Sequence, residues 1–189
     1  MKVCIIGDGL VSLLLAKVMA LKAISVDVLS SGKLKKYSET RTIGITKSNV
    51  DYINKNIINI KKILWEIKKI KIFSENYNKN EILNFSNFND QAFSVVKNYE
   101  LYKIVRKSLH NDKFVRFQNR KDLAKIIDKN YNLIINCDLN NKITKKFFSN
   151  KIHKKYNSYA YTTLISHKKV IKNDTALQIF TNNGPIEFL

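Results

Sequence analysis

The chain has 189 residues, 44% hydrophobic and 11% aromatic, which is enough apolar material to bury a real core and too much for a disordered tail. One proline, five glycines and two distant cysteines exclude collagen-like and disulfide-scaffold classes. The net charge is +19, and no uncharged apolar run approaches the roughly 18 residues of a membrane-spanning helix.

Residues 2–6, Lys-Val-Cys-Ile-Ile, form a short apolar run that stops at Gly7, the pattern of a buried parallel strand. A helix fits 10–22, where Leu10, Leu13, Leu14, Ala16, Val18 and Leu21 make a broad apolar surface, and a second strand follows at Ser25–Leu29. Residues 47–66 carry isoleucines at three- and four-residue spacing and predict one helix or two short ones. Alternation at Lys68–Phe73 predicts a half-exposed strand, and 74–91 a loop or an irregular hairpin. Ala92–Val96 is a strand candidate and Tyr99–Leu109 a helix. Next come Lys113–Phe117 (strand), Lys121–Ile127 (helix), Leu133–Cys137 (buried strand) and Thr144–Phe148 (short helix). The last stretch suggests three strands, Tyr159–His167, Ala176–Thr181 and Pro185–Leu189. The chain thus begins in βαβ style and finishes in antiparallel style, an α/β nucleotide domain joined to a second sheet.

Gly7-Asp8-Gly9-Leu10-Val11-Ser12 lies between the first strand and the first helix. The first glycine lets the chain turn tightly, and the second lets backbone N–H groups and the helix terminus approach a pyrophosphate. The third position, where glycine allows close helix–strand packing, is the small Ser12. A ribose-binding side chain is expected at the end of the second strand, which is Ser30; Asp27 lies three residues early and on the opposite face.

With Glu39-Thr40-Arg41-Thr42-Ile43-Gly44-Ile45-Thr46 and the helix after it, the opening motif resembles the FAD-dependent aromatic hydroxylases of ubiquinone biosynthesis, within the para-hydroxybenzoate-hydroxylase-like monooxygenases. In that family an acidic-x-Arg stretch follows the nucleotide motif and its Arg contacts the flavin, which implies that role for Arg41. Val95-Val96-Lys97-Asn98-Tyr99-Glu100-Leu101 resembles the family's Val-Val-Glu-Asn-x-x-Leu segment, whose amide lies near the flavin; Asn98 matches. Leu133–Asp138 resembles the strand leading to Ala-Asp-Gly-x-x-Ser-x-x-Arg. Asp138 keeps the Asp, but Leu139, Lys142 and Lys145 replace the Gly, Ser and Arg, so Asp138 is expected to order a turn. Ala176–Leu189 resembles the family's Ala-x-x-x-Phe-x-x-x-Gly-Pro-x-x-x-Leu ending.

The resemblance implies a Rossmann-like FAD-binding domain at 1–66 and 98–150, with part of a β-rich substrate domain at 67–97 and 151–189. It covers about the first half of a family member and stops before the family's Gly-Asp-Ala-Ala-His motif, so an amino-terminal part, inactive alone, is expected. Implied further are FAD, NAD(P)H as reductant, O2, a polyprenylated phenol as substrate and a ubiquinone-biosynthesis assembly as partner. The flavin carries the chemistry, so no catalytic side chain is expected.

Met1 and Lys2 run into an apolar stretch that Gly7, Asp8 and Gly9 interrupt, unlike a signal peptide, so the expected location is cytoplasmic, with peripheral contact at the inner membrane. Only Arg41, Arg106, Arg116 and Arg120 are arginines among 34 basic residues; a nucleic-acid reader would favour the bidentate Arg fork. Two alternatives stay open: a basic nucleotide-fold protein that binds a membrane surface or nucleic acid without catalysis, and a nicotinamide-dependent dehydrogenase. Cys4 and Cys137 read as buried hydrophobes, and His110, His153 and His167 share no metal-ligand spacing. Lys151, His153, Lys154 and Lys155, beside Tyr156 and Tyr159, are either a solvated turn or a patch for anionic lipid head groups.

Overall fold

A computed structural model of the chain describes residues 1–30, 39–77, 80–86, 91–119, 131–139, 141–147, 150, 152–165, 168 and 173–189. The chain divides into two compact units, one of residues 1–38 and 101–162, the other of 39–100 and 163–189.

The first unit is built on a parallel sheet. Strand β1 (Lys2–Ile6) leads through a glycine turn into helix α1 (Leu10–Leu21) and back to strand β2 (Ser25–Ser30). Strands β8 (Val115–Asn119) and β9 (Leu133–Asn136) complete the order β8-β2-β1-β9. Val3, Cys4, Ile5 and Ile6 are all buried, as are Val26, Val28 and Leu29 beside them, which is why this segment is apolar without alternation. Burial of each such side chain is worth about 1.5–3 kcal/mol. Leu13 and Ala16 of α1 are buried, as are Leu101, Val105 and Leu109 of helix α3 (Asn98–His110). Strand β9 is an edge strand with Leu133 46% and Ile134 38% exposed, so the fully buried strand expected at 133–137 is half open on this side.

Asp27 is buried in the middle of β2, and its carboxylate is answered from two sides. The Tyr131 hydroxyl donates to Oδ2 at 2.6 Å, and Lys2 Nζ lies 3.3 Å from the same oxygen while stacking 4.9 Å from the Tyr131 ring. Burial first, and the Asp27 hydrogen bond second, hold the Tyr131 phenol above the ordinary tyrosine range. Its proton is bound more tightly in the folded chain than in the unfolded one, where tyrosines ionise near pH ~10. The stabilisation is therefore complete below that pH and is lost as pH rises through the higher folded value. In an ultraviolet titration of the nine tyrosines, Tyr131 is expected to ionise last, and Tyr131→Phe to remove that final step. A variant that removes only an ordinary step would overturn this.

The second unit holds two sheets. Strands β3 (Thr42–Thr46), β7 (Phe93–Lys97) and β4 (Trp65–Ile67) form an antiparallel sheet in the order β3-β7-β4. Strands β5 (Lys69–Ser74), β6 (Glu81–Ser86), β10 (Thr175–Thr181) and β11 (Gly184–Phe188) form a sheet in the order β11-β10-β5-β6. This sheet is mixed, because β10 runs parallel to β5 while β11 and β6 run antiparallel to their neighbours. Ile67 and Val95 of the three-stranded sheet and Ala176 of the mixed sheet form a core cluster of this unit, with Ile70 and Phe93 against them. The segment 39–66, expected with the nucleotide domain, falls within this unit, where β3 and β4 flank β7.

Helix α2 (Lys47–Asn56) is shorter than the 47–66 periodicity suggests. It stops at Ile57, and the Asn54 side chain accepts the Ile60 N–H at 2.8 Å, turning the chain into the short 3-10 turn Lys61–Ile63 and then β4. The stretch 74–91 contains the hairpin partner β6, with a register shift opposite Ile72 and Phe73. The strand expected at 159–167 is not formed over 159–165, and its last two residues, like the helix expected at 121–127, lie outside the described residues. Helix α4 spans Lys142–Phe147. Among the described residues no helix is long and apolar enough to cross a membrane.

Candidate functional site

In an open parallel sheet, ligands bind beyond the carboxyl ends of the strands, where neighbouring connections leave in opposite directions. Here that point is the end of β1, flanked by β2 on one side and β9 on the other. Gly7 N–H donates to Leu29 O at 3.1 Å and Cys137 N–H donates to Ile6 O at 2.9 Å, so the turn is clamped between both neighbours. Ser30 closes β2 in register with Asn119, at the same edge of the sheet; its side chain lies outside the described residues.

The two glycines have different reasons. Gly7 has φ +115°, in the region that L side chains rarely adopt, and a Cβ there would come 3.3 Å from Ser12 Oγ and 3.5 Å from the Cys137 carbonyl. Gly9 has φ −74° and ψ 172°, open to any residue, and among the described residues a Cβ there would meet nothing within 4 Å apart from its chain neighbours and the backbone of α1. Among those residues nothing fills the space through which a ligand would approach the Gly9 backbone.

Gly9 is the N-cap of α1 and offers no side-chain acceptor, while its own carbonyl accepts from Leu13 N–H at 3.1 Å. The N–H groups of Leu10, Val11 and Ser12 thus have no carbonyl within the helix, and they carry the positive end of its dipole. Ser12 is 1% exposed, and its hydroxyl has no hydrogen-bond partner among the described residues. An orphaned buried hydroxyl beside three N–H groups without an acceptor in their own helix fits a phosphate group.

Arg41 and Asn98 meet in the second unit. The β3–β7 ladder ends with Thr42 opposite Lys97, and just beyond it Asn98 N–H donates to Arg41 O at 2.9 Å. Asn98 is buried and begins α3, whereas Arg41 is exposed. Two residues far apart in sequence are therefore placed side by side by strand pairing. Gly7, Gly9, Leu10, Val11, Ser12 and Ser30 gather at the sheet edge of the first unit, and each group keeps to its own unit.

The carboxyl end of β9 carries a network that sequence reading did not anticipate. Asn141 Nδ2 donates to Asn136 Oδ1 at 2.7 Å, Asn136 Nδ2 to Thr144 Oγ1 at 2.7 Å, and Thr144 N–H to Asn141 Oδ1 at 2.8 Å. Thr144 Oγ1 also donates to the Asp138 backbone carbonyl at 2.7 Å, and the Asp138 N–H donates to Asn136 Oδ1 at 3.2 Å. Asn141 is the N-cap of α4, a role that its place ahead of the helix signals locally. The network fixes the loop whose Cys137 carbonyl lines the Gly7 turn. Among the described residues no cluster of three or more His, Cys, Asp or Glu could hold a metal ion.

No protein-family profile and no curated protein sequence matches this chain. Solved structures do resemble it. It is similar to p-nitrophenol 4-monooxygenase PnpA from Pseudomonas putida DLL-E4, with a TM-score of 0.53 and 15% identity over 62% of this chain and 31% of that one. PqsL, a probable FAD-dependent monooxygenase from Pseudomonas aeruginosa, gives a TM-score of 0.52 and 10% identity over 64% of this chain and 33% of its own. The tetrameric form of 2-methyl-3-hydroxypyridine-5-carboxylic acid oxygenase gives a TM-score of 0.52 and 10% identity, over 63% and 31%. This chain thus shares a mixed α/β fold with monooxygenases, and the match spans about a third of their length.

Proposed function

We propose that this chain is the nucleotide-binding portion of an FAD-dependent monooxygenase that hydroxylates a polyprenylated phenol in ubiquinone biosynthesis, with NAD(P)H as reductant and O2 as co-substrate. The observation that carries the reading is the glycine turn at the end of β1, open over Gly9 and backed by the orphaned Ser12 hydroxyl. The shared fold supports the flavin class. The phenol and the pathway rest on the resemblance at Arg41, Asn98 and Gly184-Pro185, and with them go a cytoplasmic location at the inner membrane and a ubiquinone-biosynthesis assembly as partner.

In this reading the N–H groups of Leu10, Val11 and Ser12 hold the pyrophosphate, Gly7 and Gly9 let it come close, and Ser30 bonds a ribose hydroxyl. Arg41 supplies a cation near the flavin, and Asn98 an amide that strand pairing holds beside it. Bound FAD would supply the oxygen activation and transfer to an electron-rich ring. The chain's own part is to bind, orient and keep water away.

The test is a titration of the purified chain with FAD, followed by flavin fluorescence, with NAD+ in parallel. Saturable FAD binding is expected, weakened about tenfold in Arg41→Ala through loss of one charge-assisted contact. A folded chain that binds neither, or binds NAD+ in preference, overturns the flavin reading.

A further inference from the structure

Between Asp138 and Thr162 the sequence has no further Asp or Glu but six lysines, Lys142, Lys145, Lys146, Lys151, Lys154 and Lys155. The same stretch carries large apolar and aromatic side chains turned out of the protein: Phe147 65% exposed, Tyr156 75%, Tyr159 86% and Tyr161 93%, with Ile152 fully exposed. Lys146 Nζ sits 5.3 Å from the Phe147 ring centre, and Lys154 Nζ 5.2 Å from that of Tyr156. Exposed apolar groups of this size, close together along the chain, mark an interaction surface rather than scattered surface residues.

We propose that helix α4 and the segment Ile152–Tyr161 form a membrane-docking surface for anionic phospholipid. The charge complementarity is local: the stretch is basic, with no carboxylate of its own to offset it. Each aromatic–lysine pair presents a ring that suits the head-group boundary and an ammonium that suits a lipid phosphate. Ile152 adds aliphatic surface that gains only from leaving water. The depth is limited by the backbone. Residues 152–161 form neither helix nor strand, and Asn157 takes φ 50° in a left-handed bend, so their peptide groups must stay in head-group water.

A nucleic acid fits this surface less well. The sequence has no arginine after Arg120, so the stretch lacks the planar fork that reads phosphates and bases in pairs. The fully exposed aliphatic side chain of Ile152 also gains nothing from phosphates or from base stacking. The proposal is independent of the flavin reading, since it uses no residue of the glycine turn.

The experiment is co-sedimentation of the whole chain with vesicles of phosphatidylcholine alone and with about one-third phosphatidylglycerol, at low and high salt. Poly(U) is tested as a competitor. Binding to the anionic vesicles only is expected, reduced about 30-fold by Lys154→Glu with Lys155→Glu, at about 1 kcal/mol per lysine. Tyr156→Ser with Tyr159→Ser and Tyr161→Ser should abolish the part that survives high salt. Lys61→Glu with Lys62→Glu, the same charge change at the exposed 3-10 turn of the other unit, should bind as the parent does. The proposal is overturned if both lysine pairs lower binding equally, if the tyrosine variant binds unchanged, or if poly(U) binds and vesicles do not. All these positions are exposed, and circular dichroism of each variant checks that the fold is kept.

Discussion

Gly7→Ala is expected to destabilise the chain by about 2 kcal/mol, measured by chemical denaturation followed by circular dichroism. The φ of +115° at Gly7 places a side chain in a sparsely populated region, at a cost of about 1–3 kcal/mol. Its Cβ would also crowd Ser12 Oγ at 3.3 Å, in a turn held by the Leu29 carbonyl on one side and the Cys137 N–H on the other. Replacing glycine stiffens the unfolded chain and returns about 0.4–1 kcal/mol, which is too little to offset the strain. Gly184→Ala separates the contributions, because Gly184 has a similar φ of +122° but, among the described residues, nothing within 4 Å of a Cβ. The Gly7 variant should therefore suffer at least as much as the Gly184 variant. Stability within about 0.5 kcal/mol of the parent would show that the turn relaxes freely, and with it that Gly7 is replaceable.

Local features were legible in the sequence, and features fixed by distant partners were not. The run Val3–Ile6 and the glycines after it specify strand and turn without help from elsewhere, and β1, α1 and β2 fall where the pattern puts them. The isoleucines of 47–66 satisfy a helical spacing, but Ile57, Ile58 and Ile60 are β-branched and suit extended backbone equally well. The decision there is made by the Asn54 side chain capturing the Ile60 N–H, which periodicity cannot express. Thr42–Thr46 alternates well enough for a strand, yet its partner β7 begins only at Phe93, so the segment carries no local hairpin signal. The reverse error occurs at 159–165, where tyrosines and threonines have high strand preference. That preference expresses packing on a pleated neighbour, and these residues are exposed without one.

The candidate site divides along the same line. Gly7, Gly9 and Ser12 lie within six residues of one another, so their grouping at the strand–helix turn is visible in the sequence itself. Arg41 and Asn98 come from resemblance, and only the β3–β7 pairing explains why they sit together. Asp27, three residues short of the strand end, is answered by Lys2 and Tyr131, which give it a structural task in the amino-terminal half of the strand.

Gly9→Val should produce the opposite profile to Gly7→Ala: a folded chain with little change in stability and a loss of FAD affinity of about a hundredfold. The extended backbone of Gly9 accepts a side chain without strain, and among the described residues a Cβ there would meet nothing within 4 Å beyond its chain neighbours and its own helix. Valine is a poorer N-cap than glycine by up to about 1 kcal/mol, and the reduced freedom of the unfolded chain offsets most of that. The space it fills is the one through which a pyrophosphate would reach the N–H groups of Leu10, Val11 and Ser12. Two lost charge-assisted hydrogen bonds, at about 1.5 kcal/mol each, amount to about two decades in affinity. Gly9→Ala should lie between parent and valine, because the obstruction grows with the size of the side chain. If all three proteins bind FAD with one affinity, the glycine turn is not where the nucleotide sits. If binding falls while the denaturation midpoint stays fixed, glycine is present at this position for the ligand and not for the fold.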